Sequence, residues 1–225
     1  MKTGKCALWI SLAVFLVFAA FTAVIMTVDV RPIGPEGTKV GLAALNGCVS
    51  SAIGYHEDWY KLSEITGAFS LITAAAFALW TLGQMIRRKG VLRADRRLLL
   101  LMAFYALVAV LYVLFDLLAI NFRPVVLDEG IEPSYPSSHT MLALCVMITA
   151  VFQLRVRLAD KKLLRSTSVC ACVLLLLLTV VGRFLSGVHW ITDIIGSFLL
   201  SGALIFLYLG LLAFLQKPCR KEGSC

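Results

Sequence analysis

The chain has 225 residues, 60% of them hydrophobic and only 15% charged, and its mean hydropathy is +0.90. A soluble domain carries roughly 25% charged residues, so the composition excludes an ordinary soluble domain and excludes disorder. The net charge of +8 sits in short stretches between apolar runs, which points to a membrane surface rather than to nucleic acid.

Six apolar runs follow one another, and they leave little chain for a separate soluble domain. Backbone groups in lipid must find partners within their own segment, so each run reads as a helix. Residues 1–225 are therefore expected to form a single all-α membrane bundle of six transmembrane helices. The first run is Ala7–Val28, preceded by Lys2 and Lys5. It is longer than the 7–15 residues or so of a signal-peptide core, so it reads as a retained helix. The segment from Asp29 to Lys61 is the longest connection. It opens with the turn-rich stretch Arg31–Gly37, and Val40–Ile53 reads as a helix lying in the interface. His56-Glu57-Asp58 reads as a solvated loop end, because three adjacent residues rarely converge on one metal ion.

The remaining runs are Leu62–Ile86, Leu98–Ile120, Met141–Leu154, Ser166–Val181 and Ile191–Leu215. The fourth and fifth are short, and their ends are expected to continue into Pro136–Thr140 and Gly182–Leu185. With the N-terminus inside, the inner segments hold 16 of the 21 basic residues, including Lys217, Arg220 and Lys221 near the C-terminus. Of the 13 acidic residues, only Asp95, Asp160 and Glu222 fall inside. This is a positive-inside pattern, and it predicts that both termini are cytoplasmic. The seven cysteines divide between compartments: Cys145, Cys170 and Cys172 in spans, Cys6, Cys219 and Cys225 inside, Cys48 alone outside. They read as small apolar fillers rather than a disulfide framework, with membrane-adjacent lipidation of the inner three a weaker reading.

Charged residues in or beside spans are costly and mark function. Asp116, Arg123, Arg183 and Asp193 gather near the outer face, with His139 and His189 at the same depth. His189 and Asp193 are four apart, so both are expected on one face at the outer end of the last helix. A carboxylate there fixes the imidazole tautomer and leaves the other nitrogen free to attack, although a purely structural contact has the same spacing. In Tyr135-Pro136-Ser137-Ser138-His139-Thr140, Pro136 suits a first helical turn and Ser137 a cap. The backbone N–H groups of Ser138 and His139 would form an anion site at the positive helix end, and His139 is placed to act as a general acid. Arg123 and Arg183 either snorkel to headgroups or clamp phosphate oxygens. Together these residues form a phosphoryl-transfer set.

The order Arg123-Pro124, Pro136-Ser137-Ser138-His139, then Arg183, five residues, His189, three residues, Asp193 resembles the type 2 phosphatidic acid phosphatase superfamily, whose pattern is Lys-x6-Arg-Pro, Pro-Ser-Gly-His and Ser-Arg-x5-His-x3-Asp. The motifs run from about 116 to 193. The resemblance implies a hydrolase of lipid phosphates or diphosphates at the outer leaflet of the cell membrane. Phosphatidate, phosphatidylglycerol phosphate and polyprenyl diphosphate are the substrates it suggests. His189 would take the phosphoryl group as phosphohistidine, Asp193 would orient it, and His139 would protonate the leaving alkoxide and later activate water. Arg123, Arg183, Ser137 and the backbone at Ser138 would hold the phosphate oxygens. No metal and no cofactor are implied, because the arginines supply the positive charge. A lipid phospho- or headgroup transferase is the alternative on the same site.

Three residues depart from the pattern. Gly182 replaces a serine, Ser138 a glycine, and Asp116 the lysine. Three readings of Asp116 remain: it pairs with Arg123 or Arg183, it selects a less anionic substrate, or the protein is catalytically silent and only binds lipid. The first is favoured by position, since Asp116 lies seven residues before Arg123, close to two helical turns. Asp128, Glu129 and Glu132 read as solvated loop residues.

Overall fold

The computed structural model describes residues 2–127 and 130–215. Asp128, Glu129, Lys217, Cys219, Arg220, Lys221, Glu222 and Cys225, all used above, lie outside the described residues. The described chain holds seven α-helices: α1 (Lys2–Thr27), α2 (Ala43–Ile53), α3 (Glu57–Arg87), α4 (Arg96–Leu118), α5 (Ser138–Arg157), α6 (Lys162–Leu185) and α7 (Ile191–Leu215). Six of them, all but α2, are long and apolar enough to cross a membrane. The fourth and fifth spans lengthen as expected, reaching Ser138 and Leu185. The second begins earlier than its apolar run, because Glu57 and Asp58 are acidic residues in a first turn, where the helix dipole favours them. Glu57 also pairs with Lys61 one turn on, at 2.7 Å, and the His56 ring sits 2.9 Å from the Ile53 carbonyl.

Helix α5 is central and packs against α3, α4, α6 and α7. Met141, Cys145, Met147 and Ala150 along it are all buried. Lipid tails are as apolar as leucine, so helices in a membrane are held by close fit and by polar contacts between them. Helix α1 lies along α7, with the Ser11 hydroxyl donating to the Ala203 carbonyl at 2.7 Å. Asn46 of α2 donates to Thr192 Oγ1 at 3.0 Å and accepts from the Thr192 N–H at 3.3 Å. These contacts tie the long connection to the start of α7.

The two ends of the bundle differ. At one, Asp95 caps α4 by accepting from the Arg97 N–H at 2.9 Å and pairs with Arg157 of α5 at 2.7 Å. The Arg157 guanidinium also stacks 4.7 Å from the centre of the Trp80 ring. Asp95 is thus committed to holding α3, α4 and α5 together. At the other end stand the beginnings of α3, α5 and α7 and the ends of α4 and α6, and there the candidate residues collect.

Helix α3 reaches that end by presenting a face of small residues, Ser63, Thr66, Gly67 and Ser70, all buried. Thr179 of α6 donates to Thr66 Oγ1 at 2.9 Å. A Cβ at Gly182 would lie 2.9 Å from the Ser63 Cβ and 3.4 Å from the Trp59 carbonyl. The departure at Gly182 therefore has a packing cause: α3 runs too close to α6 for a side chain there. Gly182→Ser, which restores the pattern residue, is predicted to destabilise by about 1–3 kcal/mol, as overpacking does. Thermal unfolding in detergent should show a lower midpoint, largely recovered when Ser63→Gly is added. An unchanged midpoint for the single variant would contradict this close packing.

Candidate active site

The loop before α5 is seated on the first turn of α7. The Ser137 N–H donates to the Asp193 carbonyl at 3.2 Å, and the Ser197 hydroxyl donates to the Ser137 carbonyl at 2.9 Å. Tyr135 lies against Gly196, stacks on Phe18 and shares a 2.8 Å hydrogen bond with Thr22. Ser137 occupies the position before α5 but makes no capping bond. Its hydroxyl donates to Thr140 Oγ1 at 3.1 Å instead. The expected cap is therefore absent, because a competing hydroxyl lies within reach in the first turn.

His189 lies two residues before α7 rather than on it, a correction to the one-face expectation. The spacing still brings the partners together: His189 Nδ1 is 3.5 Å from Asp193 Oδ2, and both residues are buried. Asp193 is fixed by the Trp190 N–H, which donates to Oδ2 at 3.0 Å, and by Asn121 at 3.4 Å. The Trp190 indole donates to the Phe122 carbonyl at 2.6 Å, so the loop carrying Arg123 is bound to the loop carrying His189. Gly187 makes the turn into that loop. Its φ is +69°, and a side chain there would collide with the Gly54 carbonyl. Burial holds the His189 ring well below the ordinary imidazole range, and the charges of Arg123, Arg183 and His139 press the same way. A neutral ring keeps a lone pair for attack.

The two arginines are each held by one carboxylate. Arg183 is fully buried. Its Nη2 pairs with Glu64 Oε1, and its guanidinium lies 5.3 Å from the centre of the Tyr60 ring. Arg123 pairs through Nη2 with Glu132 at 2.8 Å and donates its backbone N–H to the Glu132 carbonyl at 3.0 Å. In both, Nε and Nη1 are buried without a hydrogen-bond partner. The same is true of His139 Nδ1 and of both ring nitrogens of His189.

Asp116 does not pair with either arginine. It is exposed, no ion pair of it occurs among the described residues, and the arginines are matched to Glu132 and Glu64. The seven-residue spacing misled because α4 ends at Leu118, with Ala119 left-handed at φ 45°. Helical periodicity does not carry from 116 to 123. Asp116 instead lines a crevice with Ser134, Pro136 and Ser138. Glu132, read as a solvated loop residue, is the partner of Arg123.

Glu64 was not singled out by the sequence. The available signal was an acidic residue inside the apolar run Leu62–Ile86. A cavity of about 540 Å³ is lined by Glu64, Arg123, Glu132 and His139, with Tyr60 and Tyr112 among its walls. Arg183, His189, Asp193 and Ser137 are buried and are not part of its lining.

The PAP2 superfamily model matches residues 115–216. That stretch contains Arg123, Ser137, Ser138, His139, Arg183, His189 and Asp193. No curated protein matches the chain. Among solved structures, the chain is similar to a transmembrane PAP2-type phosphatidylglycerolphosphate phosphatase from Bacillus subtilis. The TM-score is 0.61 and the identity 21%, over 93% of this chain and 98% of that one. The likeness to the PAP2 superfamily thus spans residues 115–216, and the likeness in fold extends over nearly the whole chain.

Proposed function

We propose that the protein hydrolyses a lipid phosphate or diphosphate through a phosphohistidine at His189. The observation that carries this reading is the set of buried, unpartnered nitrogens on four residues: Arg123, Arg183, His139 and His189. Buried polar groups without partners are expensive. These belong to two cations that suit phosphate oxygens, a neutral imidazole and a second histidine. A phosphoryl group would satisfy them together.

In this mechanism His189 Nε2 attacks phosphorus, and the Nδ1 proton is held toward Asp193 Oδ2, which also accepts from the Trp190 N–H. The bond from phosphorus to the lipid oxygen breaks, and His139 supplies the proton that the leaving alkoxide needs. Water then attacks the phosphohistidine with His139 as base. Arg123 and Arg183 each keep two nitrogens for the charge that develops on the phosphoryl oxygens. The contact of 3.5 Å between His189 and Asp193 is longer than a good hydrogen bond, and such contacts commonly tighten when substrate binds.

The site belongs on the outer face of the cell membrane in this reading, with the termini inside, because the basic residues concentrate at the opposite helix ends. Phosphatidate, phosphatidylglycerol phosphate and polyprenyl diphosphate are substrates of the right class, the second matching the activity named for the Bacillus subtilis structure. A transferase on the same site would give a phosphorylated acceptor lipid instead of free phosphate, which product analysis distinguishes.

Right-side-out vesicles carrying the protein should release phosphate from externally added substrate in excess chelator, and inverted ones should not. His189→Ala should release none. Asp193→Asn should retain more than His189→Ala, since it loses orientation rather than the attacking atom. Wild-type turnover in His189→Ala would contradict the mechanism, and hydrolysis confined to inverted vesicles would contradict the sidedness. Asp116 gives a separate expectation. The arginines have their own carboxylates, so Asp116→Ala should leave turnover within about threefold of wild type, as at an exposed position. A tenfold or larger loss would show that Asp116 serves the site after all.

A further inference from the structure

Glu64 lies outside the three motifs, and the mechanism above makes no use of it. Its two oxygens go to two different site residues: Oε1 to Arg183 Nη2, Oε2 to His139 Nε2 at 3.4 Å. A carboxylate serving only to neutralise Arg183 would be buried with it. Arg183 is 0% exposed, whereas the Glu64 side chain is 39% exposed and stands in the cavity wall beside His139. Gly67, one turn along α3, keeps this arrangement open. A Cβ there would lie 2.8 Å from His139 Cδ2, so α3 is shaped to receive the imidazole next to Glu64.

Resting on the phosphatase reading, we propose that Glu64 is the positioning residue of the acid–base histidine: it accepts a hydrogen bond from Nε2–H of His139 and makes Nδ1 the nitrogen that exchanges protons with substrate and water. An imidazole with one nitrogen committed to a carboxylate has its tautomer set, and its other nitrogen acts alone. His139 Nδ1 is the nitrogen left buried without a partner. The site then holds two histidine–carboxylate pairs joined through opposite ring atoms. Asp193 faces Nδ1 of His189 and leaves Nε2 to attack; Glu64 faces Nε2 of His139 and leaves Nδ1 to carry the proton.

The proton balance closes over both half-reactions. As the bond from phosphorus to His189 Nε2 forms and the bond to the lipid oxygen breaks, Nδ1–H of His139 passes its proton to that oxygen. Glu64 stays ionised throughout, opposite Nε2–H. In the second half-reaction water gives a proton to the Nδ1 lone pair, its oxygen bonds to phosphorus, and the phosphorus–nitrogen bond breaks. His189 regains its lone pair and His139 its second proton.

The test compares the full-length protein with Glu64→Gln on two substrates, phosphatidate in mixed micelles and p-nitrophenyl phosphate. Glutamine keeps an oxygen for Arg183 but removes the charge opposite His139. The alkyl leaving group needs a proton and the nitrophenolate does not. On phosphatidate kcat should fall on the order of 10²-fold, the scale of general acid catalysis, and on the aryl ester at least about tenfold less. Turnover of the aryl ester also shows that the variant is folded. Equal losses on both substrates, or no loss on phosphatidate, would overturn the proposal. Should Glu64→Gln give no folded protein, Glu64→Asp replaces it. Its carboxylate, drawn back by one carbon, no longer spans Arg183 and His139, and the same excess loss on phosphatidate is expected, with equal losses contradictory. Wild-type protein that hydrolyses neither substrate would contradict the phosphatase reading itself.

Discussion

A guanidinium keeps its proton in a protein, and Arg183 is completely buried at the end of α6. Such a charge needs a partner. Removing one side of a buried pair costs about 3–5 kcal/mol, and less here because Glu64 faces the cavity. The partner comes from α3, so α3 and α6 must approach closely at this end. That requirement accounts for the small residues Ser63 and Thr66 on one helix and Gly182 on the other. It also limits how strongly the charge is neutralised. One nitrogen of Arg183 is paired and two are left, which is the state a phosphate-binding arginine requires. Arg123 repeats the pattern with Glu132 from within its own loop.

Much of the architecture was readable in the order of residues. Apolar length alone located the six spans, because lipid leaves helix as the only way to satisfy backbone groups. The depth of His139, Arg183, His189 and Asp193 followed from where those spans end. Local spacing failed wherever the chain departed from regular helix. His189 and Asp193 were expected on one helical face, yet α7 begins only at Ile191, and the pair meets through a turn. Asp116 and Arg123 were expected on one side of α4, but the helix stops at Leu118. Ser137 looked like a cap, and the hydroxyl of Thr140 takes its bond. These are failures of periodicity at element ends, where capping and turn geometry decide direction.

Glu64 and Glu132 illustrate a different limit. Neither lies in a motif, and each acts across a tertiary contact: Glu64 is 119 residues from Arg183, and Glu132 contacts Arg123 from the far side of a loop. The separation of Glu64 from Arg183 hides the first pairing, and the irregular course of the loop hides the second. The cost of an acidic residue inside the apolar run Leu62–Ile86 was the trace it left. Gly182 is similar. Read as a lost hydroxyl, it looks like a weakened motif; set against Ser63 on α3, it is what lets α3 lie close to α6 beside the Glu64–Arg183 pair. The departures from the pattern at 182 and the carboxylate at 64 are therefore one structural feature seen from two helices.

The central claim is that His189, buried and neutral beside Asp193, carries the phosphoryl group. It is tested most directly by mixing the purified protein with a lipid phosphate labelled on phosphorus, quenching in alkaline detergent within one turnover, and mapping the labelled peptide. The account predicts label on His189. Label on His139 instead, or steady phosphate release with no protein-bound phosphorus at any time, would contradict it.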